Sequence, residues 1–181
     1  MGTLCLKRVT KAVEDTSFSC GISSIDNYVK NESYFPHIAQ HAYAYCVMAD
    51  DVVLGYYQVL FREIELADFP EDIAEIDPNI KDGKISAVHI RYIAIDSNFQ
   101  GNGIGTGTLK TIIKDVEELS NLWPIRVITI DARVELVDWY KKVGFVKMIN
   151  NSPGQEGQTV RMYFDCMKFS GELAAYIEDW I

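Results

Sequence analysis

The chain has 181 residues, of which 48% are hydrophobic, enough to fill the core of a single globular domain spanning residues 1–181. Its formal charge of -9 excludes a broad affinity for phosphate backbones, which needs clustered Lys and Arg, and leaves only a local basic patch open. No apolar run reaches the roughly 18 residues of a membrane-spanning helix, and no signal peptide precedes Cys5, so a cytoplasmic protein without a membrane partner is expected. Cys5, Cys20, Cys46 and Cys166 form no CxxC pair and read as free thiols.

Thr3 to Val9 alternates as a first strand does, and Gly21 to Asn31 then carries Ile22, Ile25, Tyr28 and Val29 at helical spacing, with Ser23 or Ser24 as the expected cap. The aromatic segment up to Gln40 continues that helix or forms a second one, with Pro36 biasing Phe35 away from helix. Ala42 to Ala49 and Val52 to Ile64 flank Asp50 and Asp51 and predict a hairpin. Between Glu63 and Asp82 the acids Glu63, Glu65, Asp68, Glu71, Asp72, Glu75, Asp77 and Asp82 face Lys81 alone, which suits a loop or short-helix insertion. Such a run is most simply a solvated loop; on a groove it would attract a cationic amine.

Ile85 to Ile95 is apolar enough for a strand buried on both faces. Gly103 to Leu119 suits a helix with Ile104, Thr108, Ile112 and Val116 along one face and Leu109 beside them. A strand over Ile125 to Ile130, a helix over Val134 to Val143 closed by Gly144, and a strand over Phe145 to Ile149 follow. A turn-rich stretch from Asn150 to Gln158 leads to a last strand from Thr159 to Phe169 and an amphipathic segment from Glu172 to Ile181. The order predicts a mixed α/β fold.

The strand ending at Ile95 runs into IDSNFQGNGIGTGTLK, with glycines at 101, 103, 105 and 107 just where the helix begins. Free backbone N–H groups and the helix dipole make that point an anion site, and glycines let a ligand reach the backbone. The run lacks GxxxxGK[ST] and GxGxxG, so neither common nucleotide loop applies, and Gln100-x-x-Gly103-x-Gly105 remains.

That pattern after an apolar strand resembles the pyrophosphate loop of the GNAT N-acetyltransferase superfamily. WYKKVGF, from Trp139 to Phe145, is similar to the later signature of the same family, an aromatic and a Tyr on a helix before Gly-Phe at a strand. The resemblance covers Leu4 to about Phe169 and implies the GNAT fold, a central, mostly antiparallel, twisted sheet of about six to seven strands flanked by helices. FSCGISSIDNYV, GYYQV and the insertion before RYIAID also resemble the branch of toxin acetyltransferases that act on aminoacyl-tRNA.

The resemblance implies acetyl-CoA as cosubstrate and no metal. Main-chain groups of Ile93, Ala94 and Ile95 would pair with the pantetheine arm, and Gln100, Gly101, Asn102, Gly103, Ile104, Gly105 and Thr106 would enclose the pyrophosphate. Tyr140 matches the residue that protonates the CoA sulfur. The base is open between His89, which shares one strand face with Arg91 and has a counterpart in similar arylalkylamine enzymes, and Glu63 or Glu65. Arg133 stands where the family often has Asn and would reach a phosphate. Cys46 and Cys166 have no histidine nearby in sequence and read as core residues rather than nucleophiles. The expected acceptor is a primary amine of a small molecule or a protein; the alternatives are aminoacyl-tRNA, the one nucleic acid in view, or CoA binding without catalysis. Edge strands in this fold often pair, so a homodimer is expected.

Overall fold

The computed structural model describes residues 4–70, 83–149 and 159–166. Seven strands hydrogen-bond in the order β1-β2-β3-β4-β5-β7-β6, with β1 over Leu4–Arg8, β2 over Tyr43–Ala49, β3 over Val52–Glu65, β4 over Lys84–Ile95, β5 over Val127–Arg133, β6 over Val146–Lys147 and β7 over Thr159–Asp165. The helices are α1, Ser23–Asn31, α2, Tyr34–Ile38, α3, Ile104–Ser120, and α4, Val137–Val143. The acids at 71, 72, 75, 77 and 82, the stretch 150–158 and the segment from 167 onward lie outside the described residues.

The chain divides into two compact units, one of residues 1–61 and 89–112, the other of residues 62–88 and 113–181. In the first, β1 pairs antiparallel with β2, and β2 with β3, so the hairpin expected around Asp50 and Asp51 is present, with Asp50 at φ 52. Val9, Phe18, Val29, Ala44, Cys46, Tyr56 and Ala94 form its core, and Ile22 and Ile25 of the α1 segment pack against it. Their helical spacing is therefore what seats α1.

Neither Ser23 nor Ser24 caps α1. Ile22 is the cap residue and makes no side-chain cap hydrogen bond, while Asp26 reaches back from the helix and accepts from Cys20 N at 2.7 Å and Ser19 Oγ at 2.7 Å. The helix begins at Ser23, so both serines lie inside its first turn rather than at the cap position, and Asp26 ties the segment before the helix to its first turn. The segment after it is a second helix, and Pro36 lies in its first turn, where a missing N–H costs no helix bond.

Gly55 sits inside β3 because β4 comes too close for a side chain. A Cβ there would stand 2.7 Å from Ile95 Cδ1 and 3.1 Å from Ala94 O. The first contact is a flexible side-chain tip, but the second is backbone. Gly55→Ala is expected to destabilise the fold by about 1–3 kcal/mol, read as a lower denaturation midpoint at unchanged slope. An unchanged midpoint would show that β4 can shift freely.

In the second unit β5 pairs antiparallel with β7 from Val127↔Asp165 to Arg133↔Thr159, and β6 with β7. Ile64, Phe69, Ala87, Val127, Met148 and Tyr163 form its core, with Phe69 edge-on to Tyr163 at 5.1 Å between centroids. Arg126 and Asp165, both largely buried, pair at 2.9 Å. Removing either partner would strand a charge that the core cannot solvate. The predicted helix over Val134 to Val143 is a 3-10 turn, Val134–Leu136, followed by α4, and Gly144 closes it at φ 108 with Phe164 Cε2 3.1 Å from where a Cβ would be.

The predicted apolar face of α3 is real. Thr108, Leu109, Ile112 and Val116 are buried, joined by Ile113, and Thr108 Oγ1 donates back to Ile104 O at 2.9 Å. In β4 the residues Ala87, Val88, His89 and Ile90 are buried in succession, as a strand covered on both faces requires.

Candidate functional site

The loop between β4 and α3 is built for an approaching anion. Gly101 and Gly103 both adopt φ +79, a conformation side chains resist, and a Cβ on either would meet nothing within 4 Å. The inner surface of the turn is bare backbone with space above it. Gly103 O accepts from Gly107 N at 2.9 Å, which opens α3, with Ile104, Gly105 and Thr106 in its first turn. The first N–H groups of a helix of this length have no carbonyl behind them and carry its positive dipole end. A diphosphate fits this cradle by shape and charge.

Gln100 turns its side-chain amide toward the protein. Its Nε2 donates to Ile95 O at 2.9 Å and to Cys20 O at 3.1 Å, so both amide hydrogens are spent on the protein. It braces the loop, and only its main chain is left for a ligand. Asn102 Nδ2 donates to Phe99 O at 3.3 Å.

The residue that sequence reasoning missed is Asp96. It is 5% exposed, and its carboxylate accepts from Ser19 N at 3.0 Å, Asn98 N at 2.9 Å and Asn98 Nδ2 at 3.0 Å. The signal was the Asp-x-Asn of IDSN, an Asx turn in which the side chain takes the N–H two residues on. Burial pushes the Asp96 carboxyl up, but these three donors outweigh it and hold it below its ordinary value. Asp26 is likewise held down, its burial outweighed by the Ser19 and Cys20 donors. Both groups therefore stabilise the folded chain above pH ~4, and the contribution fades as pH falls through their folded values. Thermal midpoints should drop between about pH 5 and pH 3, and Asp96→Asn should flatten that drop. A slope identical to wild type would refute the assignment to Asp96.

His89, Ile93, Ala94 and Ile95 of β4 belong to the same unit as this loop. His89 is 4% exposed. Arg91, its expected neighbour on that face, is exposed and lays its guanidinium over Tyr28 at 5.1 Å and Tyr92 at 5.6 Å. Glu63, Arg133 and Tyr140 belong to the other unit. Glu63 and Glu65 are exposed and share Lys84, at 3.9 Å and 3.7 Å. Arg133 is half-exposed and pairs with Glu135, a contact weak enough in water to yield to a phosphate. Tyr140 is 2% exposed, its ring against Trp139 at 4.6 Å and Phe145 at 5.6 Å, and burial pushes its phenol well above the usual value.

Three of the four cysteines are poor nucleophiles. All four are free, and burial pushes Cys20 and Cys46 up to about 11 and Cys166 up to about 12, so thiolate is scarce at neutral pH. Among the described residues no cluster of His, Cys, Asp and Glu could hold a metal, and no helix is long and apolar enough to cross a membrane.

Residues 75–163 match the family model described as an acetyltransferase (GNAT) domain. A tRNA-acetylating toxin of Mycobacterium tuberculosis is 25% identical over 70% of this chain and 74% of its own length. Among solved structures, a mutant of KacT superposes with a TM-score of 0.78 at 18% identity, over 96% of this chain and 98% of the other. AtaT complexed with acetyl-methionyl-tRNAfMet gives a TM-score of 0.75 at 21% identity over 90% and 95% of the chains, and AtaTR bound with AcCoA gives 0.67 at 19% over 96% and 98%. The structural likenesses show the fold, a GNAT-type sheet with flanking helices, and acetyl transfer is the chemistry of the family whose model matches residues 75–163.

Proposed function

We propose that this chain transfers acetyl from acetyl-CoA directly to the α-amino group of an aminoacyl-tRNA. The observation that carries the reading is the bare glycine cradle at the start of α3, in a chain related to a tRNA-acetylating toxin. Bound acetyl-CoA supplies an activated acetyl group and a thiolate leaving group. Backbone N–H groups of Gly101 to Thr106 hold its diphosphate, and the main chain of Ile93 to Ile95 pairs with its pantetheine arm. A main-chain N–H near Ile93 steadies the oxyanion that forms on attack. His89 takes a proton from the substrate's ammonium so that the neutral amine attacks, since Glu63 and Glu65 stand in water and already serve Lys84. Tyr140 Oη delivers a proton to the departing sulfur. Buried high-pKa thiols agree with direct transfer rather than an acyl-cysteine intermediate.

A primary amine on a small molecule or peptide is the rival acceptor. Labelled acetyl-CoA with a mixture of charged tRNAs is set against a panel of polyamines, lysine peptides and basic antibiotics. Label is expected in acid-precipitable RNA, lost after mild alkaline deacylation. Label confined to the amine panel would overturn the tRNA reading, and no transfer to any acceptor despite CoA binding would leave a binding protein without chemistry.

A further inference from the structure

Four glycines in seven residues should make a soft loop, because glycine loses more freedom on ordering than any other residue, and a ligand that orders such a loop forfeits affinity. The loop packs little of itself: the Cβ positions of Gly101 and Gly103 face open space. What fixes it comes from elsewhere in the chain. Ser19 and Cys20, just before α1, form a splint that is hydrogen-bonded from two sides.

On the loop side, Ser19 N donates to Asp96 at 3.0 Å, Ser97 N and Ser97 Oγ both donate to Ser19 O at 2.9 Å, and Gln100 Nε2 donates to Cys20 O at 3.1 Å. On the helix side, Asp26 accepts from Cys20 N and from Ser19 Oγ, each at 2.7 Å. Asp96 N also donates to Leu54 O at 2.9 Å, which joins the loop entrance to β3. Charge-assisted bonds to Asp26 and Asp96 are the strong members of this set.

We infer that Asp96 and Gln100 are positioning residues that preset the glycine loop against the Ser19–Cys20 splint, so that a diphosphate meets backbone N–H groups already in place. The inference rests on the reading that this loop binds acetyl-CoA. Neither side chain touches the cosubstrate; both act through the backbone they hold. Asp96 supplies an acceptor that two backbone N–H groups cannot find in each other, and Gln100 supplies donors to two carbonyls that would otherwise turn away from the loop.

The test combines calorimetry with acetyl-CoA, amide hydrogen exchange of the ligand-free chain, and steady-state kinetics, on wild type, Gln100→Ala and Asp96→Asn. Ser33→Ala serves as control, since Ser33 is fully buried and donates to Val29 O at 2.6 Å in the same unit but touches none of the splint. Both positioning variants should bind acetyl-CoA about tenfold more weakly and exchange the amides of Gly101 to Thr106 about tenfold faster, with kcat at saturating acetyl-CoA within about twofold of wild type. Ser33→Ala should lower the melting temperature without moving either quantity. If Asp96→Asn does not fold, Gln100→Ala decides alone. Wild-type affinity and exchange in Gln100→Ala would overturn the inference, as would an equal loss of affinity in Ser33→Ala. Failure of wild type to bind acetyl-CoA would overturn the functional reading instead, and the exchange arm would still decide whether the loop is preset.

Discussion

Gly103→Trp is expected to weaken acetyl-CoA binding by at least about a hundredfold while the chain stays folded. The two halves of that statement come from one observation. A Cβ at Gly103 meets no protein atom within 4 Å, so the indole has room to leave the loop without disturbing the core. The space it enters is the space the diphosphate needs. The cost of a side chain at φ +79 is about 1–2 kcal/mol, well inside the usual stability of a domain. Titration calorimetry reads the affinity, and far-UV circular dichroism with a melt reads the fold. Undiminished binding in a folded variant would place the cosubstrate somewhere other than this loop.

Tyr140→Phe should lower kcat by about a hundredfold to ten-thousandfold and leave acetyl-CoA affinity almost unchanged. The ring contacts with Trp139 and Phe145 do not use the hydroxyl, so phenylalanine keeps the packing and removes only the proton donor. Because burial raises the phenol, Tyr140 stays protonated as pH rises past its ordinary value near 10. The wild-type rate should therefore show no loss between about pH 8 and pH 10 that vanishes in Tyr140→Phe. Such a limb would show the phenol titrating near its ordinary value despite its burial, and an unchanged kcat in the variant would remove Tyr140 from the chemistry.

The elements that sequence made legible are those with local causes. The hairpin around Asp50 and Asp51, the buried face of α3 and the Gly144 stop each follow from a period or a special residue within a few positions. The loop was legible for the same reason, since strand, glycines and helix are contiguous. Misreadings arose where a partner lies far along the chain or an element starts early. Ser23 and Ser24 are good caps in isolation, but the helix starts early enough to put both inside its first turn, with Ile22 at the cap. The Gln100 side chain donates to a carbonyl eighty residues away, which no local pattern announces. Asp96 was not singled out, because its contact with Ser19 joins residues far apart in sequence.

The distance in sequence between Ser19 and Asp96, 77 residues, also has a consequence for synthesis. Loop closure over such a span must come before any hydrogen bond of the splint can form, so this corner assembles late while the β2–β3 hairpin, with its short turn, forms early. A nascent chain that has not yet released Gln100 from the ribosome already holds much of its hairpin sheet but lacks the grip on CoA.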